Sequence, residues 1–282
     1  MQEKQIQRKQ GEKILELKNL HISFTQYTRG LSRRTIESVR GLSFSTYEGE
    51  VTALVGESGS GKSLLAHAVM GLLPYNASVS GEIYYCGELL EQKQIEILRG
   101  REIVLVPQGA SYLDPLMKAG PQILKGKADA QRKEKLRAIL ERYHLKESTT
   151  ALYPFELSGG MSRRVLIASA TIEEPKLVIA DEPTPGLEKK TAKMVMGHFR
   201  ELAEMGSSVL VITHDLELAI ETADRILVMQ GGRVVEEASP EAFREGRTLC
   251  HPYTKALWKA MPSHGFIDVS EKELFLEGEV QA

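Results

Sequence analysis

The sequence predicts an α/β protein with a mainly parallel sheet, preceded by an antiparallel β subdomain and interrupted by an α-helical one. Three observations carry this. From residue 51 onward, short apolar runs of strand length alternate with helical stretches, the pattern of a parallel sheet with crossover helices. Ahead of them, β-rich runs follow one another with no helix between. From about residue 111 to 170 strand signals vanish, and the segment turns charged and helical.

In chain order, residues 14–17 and 21–27 alternate or cluster apolar side chains and read as two strands. Residues 28–35, rich in Gly, Ser and Arg, read as a surface turn, and 39–46 and 51–55 as further strands. Helical spacing of Ala66, Val69, Met70 and Leu73 predicts a helix over 62–73, stopped by Pro74. A short buried-type strand covers 103–106. The helical segment holds helices over 128–143 and 159–171. Strands return at 176–180 and 208–213, on either side of a helix over 189–205. A final hairpin joins 225–229 to 233–236 around Gln230-Gly231-Gly232. Short helices cover 240–244 and 252–261. The expected division is one domain over 14–262, the helical subdomain inserted at about 111–170, and a short acidic tail over 263–282.

The chain has 282 residues, 42% hydrophobic and 26% charged, which is ordinary globular composition with enough length for a full core. A net charge of −2 provides no broad basic field for nucleic acid or an anionic membrane. Two cysteines, Cys86 and Cys250, do not read as a disulfide framework, so a reducing cytoplasm is expected. Residues 1–13 are polar and mixed in charge, without the apolar core of a signal peptide. No apolar run approaches the ~20 residues that span a bilayer. Work at a membrane would need a partner chain.

The chemistry sits in short motifs. Gly56-Glu57-Ser58-Gly59-Ser60-Gly61-Lys62-Ser63 follows an apolar strand and opens a helix, the context a phosphate-binding loop requires. Glycines let successive backbone N–H groups curl round a phosphate, and the helix N-terminus adds a favourable dipole. Lys62 is placed to bridge β- and γ-phosphates and Ser63 to ligate Mg²⁺. Asp181 ends the apolar run 177–180. If that strand lies beside the phosphate-loop strand, its carboxylate reaches the Mg²⁺ shell. Glu182 follows, placed to orient or deprotonate an attacking water. Without the upstream loop, Asp181-Glu182 before Pro183 is an ordinary exposed turn.

A third motif, Leu157-Ser158-Gly159-Gly160-Met161, shortly precedes the acidic strand. By order and spacing, the set resembles an ATP-binding cassette (ABC) ATPase subunit, over roughly residues 15–262. The resemblance implies a P-loop NTPase core, ATP and Mg²⁺ as cofactors, and ATP sandwiched between two such domains. Ser158 and the amides of Gly159 and Gly160 then touch the γ-phosphate held by the opposite subunit. Gln108 ligates Mg²⁺ or water and couples the site to the helical insertion, and His214 contacts the γ-phosphate and Glu182. Leu64 completes the loop contacts. Phe24, or else Tyr27, stacks on adenine, although either is equally a sheet-packing aromatic.

Two positions depart from the family pattern. Gly186-Leu187-Glu188 stands where Ala-Leu-Asp is usual, and Arg163 where Gln is common. Both are expected where one subunit addresses the other. The segments Tyr153-Pro154-Phe155-Glu156 and His251-Pro252-Tyr253-Thr254-Lys255-Ala256-Leu257, with Met161, resemble the peptide/nickel importer branch. That implies a second, non-identical ATP-binding subunit, two transmembrane permease subunits, an extracytoplasmic binding protein acting indirectly, and a place on the cytoplasmic face of the membrane. The short stretch after Met261 leans towards the nickel type, and the lack of cysteines there implies no iron–sulfur cluster. Two alternatives remain: a soluble cassette in translation or DNA repair, and a catalytically weak partner subunit.

Overall fold

The computed structural model describes residues 11–27, 33–126 and 129–262. Most of the polar N-terminal stretch, the tip of the 28–35 turn and the acidic tail therefore lie outside the described residues.

The antiparallel layer is built from β1 (Lys13–Tyr27), β2 (Arg33–Tyr47), β4 (Ala77–Tyr85) and β5 (Glu88–Leu89), in the order β2-β1-β4-β5. The two strands expected over 14–27 are one. The irregularity between them is a bulge: Asn19 sits at φ 48, with register shifts on either side. Asn is among the few side chains that take this conformation readily. Residues 33–35, expected as turn, belong to β2.

The second sheet contains β3 (Val51–Gly56), β6 (Ile103–Val106), β7 (Leu177–Asp181), β8 (Ser208–Thr213), β9 (Arg225–Gln230) and β10 (Arg233–Ala238). Its order is β10-β9-β3-β8-β7-β6. The β9–β10 hairpin is antiparallel and the other pairings are parallel. One expectation is overturned here: β7 does not lie beside β3, because β8 separates them.

Helix α1 (Lys62–Val69) follows the phosphate loop and ends earlier than expected. Gly71, at φ 62, stops it, and the Leu72 N–H reaches back to the His67 carbonyl at 2.8 Å. Pro74 comes too late to be the cause. Between β5 and β6 lies α2 (Gln92–Leu98), which, like β4 and β5, carries no strong sequence period. Between β6 and β7 the described residues are helical: α3 (Ala119–Leu124), α4 (Ala130–Arg142), α5 (Gly159–Thr171) and short 3₁₀ turns. Then come α6 (Lys189–Glu204), α7 (Leu216–Thr222), α8 (Pro240–Glu245) and α9 (Pro252–Lys259). Asp215 caps the unexpected α7 by accepting the Leu218 N–H at 3.0 Å.

Strand alternation sorts the core. Val209 and Val211 of β8, with Val178 and Ala180 of β7, pack on α6 and the helical segment. Leu210 and Ile212, with Leu177 and Ile179, face α1 and the antiparallel sheet. Ala53 and Val55 of β3, with Ile226 and Val228 of β9, face α7, α8 and α9. Each face of the parallel sheet is thus covered, and its strands read as continuous apolar runs. No helix among the described residues is long and apolar enough to cross a membrane.

Leu54 is fully buried in β3, directly before the phosphate loop. Leu54→Ala is expected to cost about 2–5 kcal/mol of unfolding free energy in chemical denaturation.

Candidate functional site

The parallel strands β3, β8, β7 and β6 end at one edge. Gly56, Asp181, Glu182, Thr213, His214 and Gln108 lie at or just beyond those ends. Backbone room decides the loop's path. A Cβ at Gly56 would stand 2.1 Å from the Met229 carbonyl oxygen of β9, so only glycine passes there. Gly61, at φ 100, caps α1 in a left-handed conformation.

Lys62 is buried, and its ammonium donates to the carbonyl oxygens of Gly56 and Glu57, each at 2.8 Å. Burial pulls its pKa down, and the neighbouring Glu182, Asp181 and Glu57 charges offset only part of that. Ser63 Oγ donates to Asp181 Oδ1 at 2.9 Å. α1 packs across onto β7, which is how Ser63 reaches Asp181 although β8 intervenes. Burial pushes the Asp181 carboxyl above the ordinary range, against the Ser63 bond that lowers it. Glu182 Oε2 lies 2.9 Å from His214 Nδ1. The structure therefore unites Lys62, Ser63 and Asp181 in one group, and Glu182 and His214 in another beside it.

Other expected residues stand apart. Among the described residues, the exposed Gln108 side chain makes no hydrogen bond to these groups. Ser158 is the N-cap of α5, accepting the Met161 N–H at 3.3 Å. No described hydrogen bond joins Ser158, Gly159 or Gly160 to the phosphate loop of the same chain. Phe24 is half-buried against the core under the antiparallel sheet, on β1 opposite Ile36 and Ala77. The Tyr27 side chain lies outside the described residues. Glu57, Ser58 and Gly59 are exposed, Ser60 is buried, and Leu64 is half-buried against the core beside α1.

Arg163 corrects an expectation. It does not face outward from the start of α5; it is 6% exposed and points into the chain. Its guanidinium donates to the carbonyl oxygens of Pro107 at 2.7 Å, of Gln108, and of Glu182 at 3.5 Å. Helical period gives the clue: Arg163 stands three, four and seven residues before buried Leu166, Ile167 and Ala170, on their face of α5. Glu188 is exposed at the N-cap of α6, and its side chain makes no capping bond.

Comparison with known proteins meets this geometry. The model of the family described as ABC transporter matches residues 39–185. The dipeptide transport ATP-binding protein DppD of Bacillus subtilis is 37% identical over 280 residues, covering 93% of this chain and 80% of that protein. The chain belongs to the ABC transporter family of ATPases. The oligopeptide transport ATP-binding protein OppD of the same organism is 36% identical, covering 89% of this chain and 72% of that one. The glutathione import ATP-binding protein GsiA of Escherichia coli K12 is also 36% identical, but the chain spans only 42% of it. Among solved structures, the dimeric, post-hydrolysis ATP-binding cassette MJ0796 bound to ADP and Pi is 30% identical. It superposes with a TM-score of 0.68, over 80% of this chain and 99% of that one. The cbiO1 subunit of the Clostridium perfringens cbiONQ transporter superposes with a TM-score of 0.69 at 27% identity, over 83% and 92%. The cassette fold expected from the motifs is the fold observed, and the family's chemistry is ATP binding and hydrolysis.

Three carbonyl oxygens on two segments suit a planar guanidinium with spread donors and do not suit a point-like ammonium. Arg163→Lys is expected to lower unfolding free energy by about 1–3 kcal/mol, read by chemical denaturation.

Proposed function

We propose that this chain is the ATP-driven motor subunit of a peptide importer, docked on the cytoplasmic face of the membrane against two permease subunits. The single observation that carries the mechanism is the split of the site. Lys62, Ser63, Asp181, Glu182 and His214 assemble within the chain, while the helix terminus, with Ser158 and Gly159 exposed and Gly160 half-buried, shares no described hydrogen bond with them. A helix N-terminus with free N–H groups is an anion site. The phosphate it serves must then be carried by another subunit, and a second ATP-binding chain completes each site. The non-identical composition implied by the importer branch is part of this reading. Sequence relatives that carry dipeptide, oligopeptide and glutathione in their names support peptide as the cargo over nickel.

Within the site, the phosphate loop from Gly56 to Ser63 wraps the phosphates and Lys62 turns from its own carbonyls to the γ-phosphate. The Ser63 hydroxyl and Asp181 carboxylate are hard oxygen donors that fit Mg²⁺, which is small and keeps its waters and phosphate oxygens. Mg²⁺ bound there supplies charge neutralisation on the phosphates. Glu182 orients and deprotonates the attacking water, and His214 holds the Glu182 carboxylate in place. Gln108 stands where the helical segment meets the site. That segment, about residues 111–170 within a domain over 14–262, is the proposed inserted subdomain.

Its surface supports permease docking. Tyr112, Leu116, Met117 and Phe155 are exposed large apolar side chains. The Ala119 N–H to Leu152 carbonyl bond, 2.9 Å, ties their two segments together, and Tyr153 stacks on Phe155 at 5.6 Å. Exposed apolar clusters of this kind mark interaction surfaces.

Glu182→Gln is expected to bind ATP normally and to lower turnover by about 100-fold or more, abolishing labelled-dipeptide uptake by the assembled transporter. Unaltered hydrolysis would sink the assignment. The paired change Leu116→Asp and Phe155→Asp is expected to abolish co-purification with the permease while leaving the ATPase rate of the chain paired with its second ATP-binding subunit, without permease, within about twofold.

A further inference from the structure

The His251-Pro252-Tyr253-Thr254 motif marks a branch of the family by resemblance, and nothing in the site as described uses it. Its position in the fold suggests a use. α9 begins at Pro252 with His251 as its N-cap. Tyr253 is 5% exposed, and its ring lies in the core cluster that includes Ala53 and Val55 of β3. Its hydroxyl oxygen accepts the Glu57 N–H at 3.0 Å. Glu57 is the first residue of the phosphate loop beyond β3.

The peptide unit joining Gly56 to Glu57 is therefore held at both poles. Its carbonyl oxygen accepts from Lys62 Nζ at 2.8 Å, and its N–H donates to Tyr253. When Lys62 leaves for a phosphate, the first hold is lost and only the second remains. We infer that Tyr253 is a positioning residue for nucleotide binding: its hydroxyl fixes the first peptide of the phosphate loop and so braces the loop for ATP.

The brace has its own anchor. The Glu236 carboxylate of β10 accepts the N–H groups of Cys250 at 2.7 Å and His251 at 3.0 Å, and His251 Nδ1 accepts the Tyr253 N–H at 3.2 Å. Burial raises the Glu236 pKa, but the backbone donors Cys250 and His251 outweigh it, so the carboxyl sits below its ordinary range and stays ionised. A carboxylate holding two backbone donors is a stronger fixing point than a neutral acceptor. The line runs from β10 through the start of α9 to the loop. It gives the C-terminal layer a stake in ATP affinity although none of its side chains belongs to the set expected to touch nucleotide.

The inference rests on reading residues 56–63 as the ATP loop, so the test carries a control for that reading. The full chain is compared as wild type, Tyr253→Phe, Glu236→Gln and Lys62→Ala. Trinitrophenyl-ATP fluorescence gives affinity, steady-state hydrolysis gives KM and kcat, and thermal melting gives Tm. One hydrogen bond of ordinary strength corresponds to about a 3- to 10-fold change in an equilibrium constant. Tyr253→Phe is expected to weaken nucleotide binding and raise KM by that factor, with kcat within about twofold. Glu236→Gln should move KM in the same direction by less. A lowered Tm in both variants with wild-type affinity and KM would reduce Tyr253 to a packing residue and overturn the inference. If Lys62→Ala binds the probe as wild type does, the reading of the loop falls and takes the inference with it. Loss of binding in Lys62→Ala alone, with Tyr253→Phe unchanged, overturns only the inference.

Discussion

Parallel pairing of β3, β8, β7 and β6 forces their carboxyl ends to one edge, and the site depends on that constraint. Residues far apart in sequence, from Gly56 to His214, meet because each follows a strand pointing the same way. A parallel sheet needs both faces covered. The antiparallel layer with α1 covers one. α6 and the helical segment cover most of the other, with α7, α8 and α9 at the β3–β9 end. The peripheral layers are thus conditions for the strand ends to lie dry and fixed, and two of those layers also reach into the site.

They reach it through polar side chains that end on backbone groups. Arg163 leaves α5 to hold the carbonyls of Pro107, Gln108 and Glu182. Tyr253 leaves α9 to hold the Glu57 N–H. Arg225 of β9 does similar work away from the site, donating to Glu50 at 2.9 Å and to the Ser45 carbonyl of β2. A buried donor or acceptor without a partner costs about 1–3 kcal/mol, so such contacts fix loop geometry more firmly than apolar packing alone. Docking of the helical segment and shape of the nucleotide loop are in this way one problem.

The parts legible in the sequence were those with a strong period or a rigid motif. β8 falls on the expected residues because its apolar run is uninterrupted, and α5 because Ser158 is an N-cap of standard type ahead of the apolar stretch from Val165 to Ala168. β4, β5 and α2 escaped notice because the first two are largely exposed strands of an antiparallel sheet and α2 buries only Ile95. The placement of β7 next to β3 failed for a different reason: strand order is set by which crossover packs where, and local sequence does not encode it. The chemical groups Lys62, Ser63, Asp181, Glu182 and His214 were legible because each follows a strand in a fixed motif. Arg163 and Tyr253 were not read as they stand. Arg163 departs from the family pattern at a place expected to address the other subunit, and a motif position alone does not say that the side chain turns into its own chain. Tyr253 was noticed only as part of a family-like segment, and its partner Glu57 is remote in sequence.

Glu182 shows why these supports converge where they do. Its backbone lies at φ 46, a left-handed conformation that a residue with a Cβ adopts at a cost of about 1–3 kcal/mol. It is held there from several sides: its N–H donates to the Ile212 carbonyl of β8 at 2.9 Å, its own carbonyl accepts from Arg163, and its carboxylate meets His214. The turn this produces directs the side chain out of the strand line of β7, so that Asp181 and Glu182, although consecutive, belong to different contacts: one to Ser63, the other to His214. An extended backbone would also separate neighbouring side chains, but to opposite faces of the sheet and not to adjoining points on its edge. The strain is sustained because β8 supplies both the carbonyl that holds the Glu182 N–H and the histidine that follows the strand. Arg163 adds the third hold from the helical segment. Arg163, carried on α5, thus ties the helical segment at once to the carbonyls of Pro107 and Gln108 and to that of Glu182.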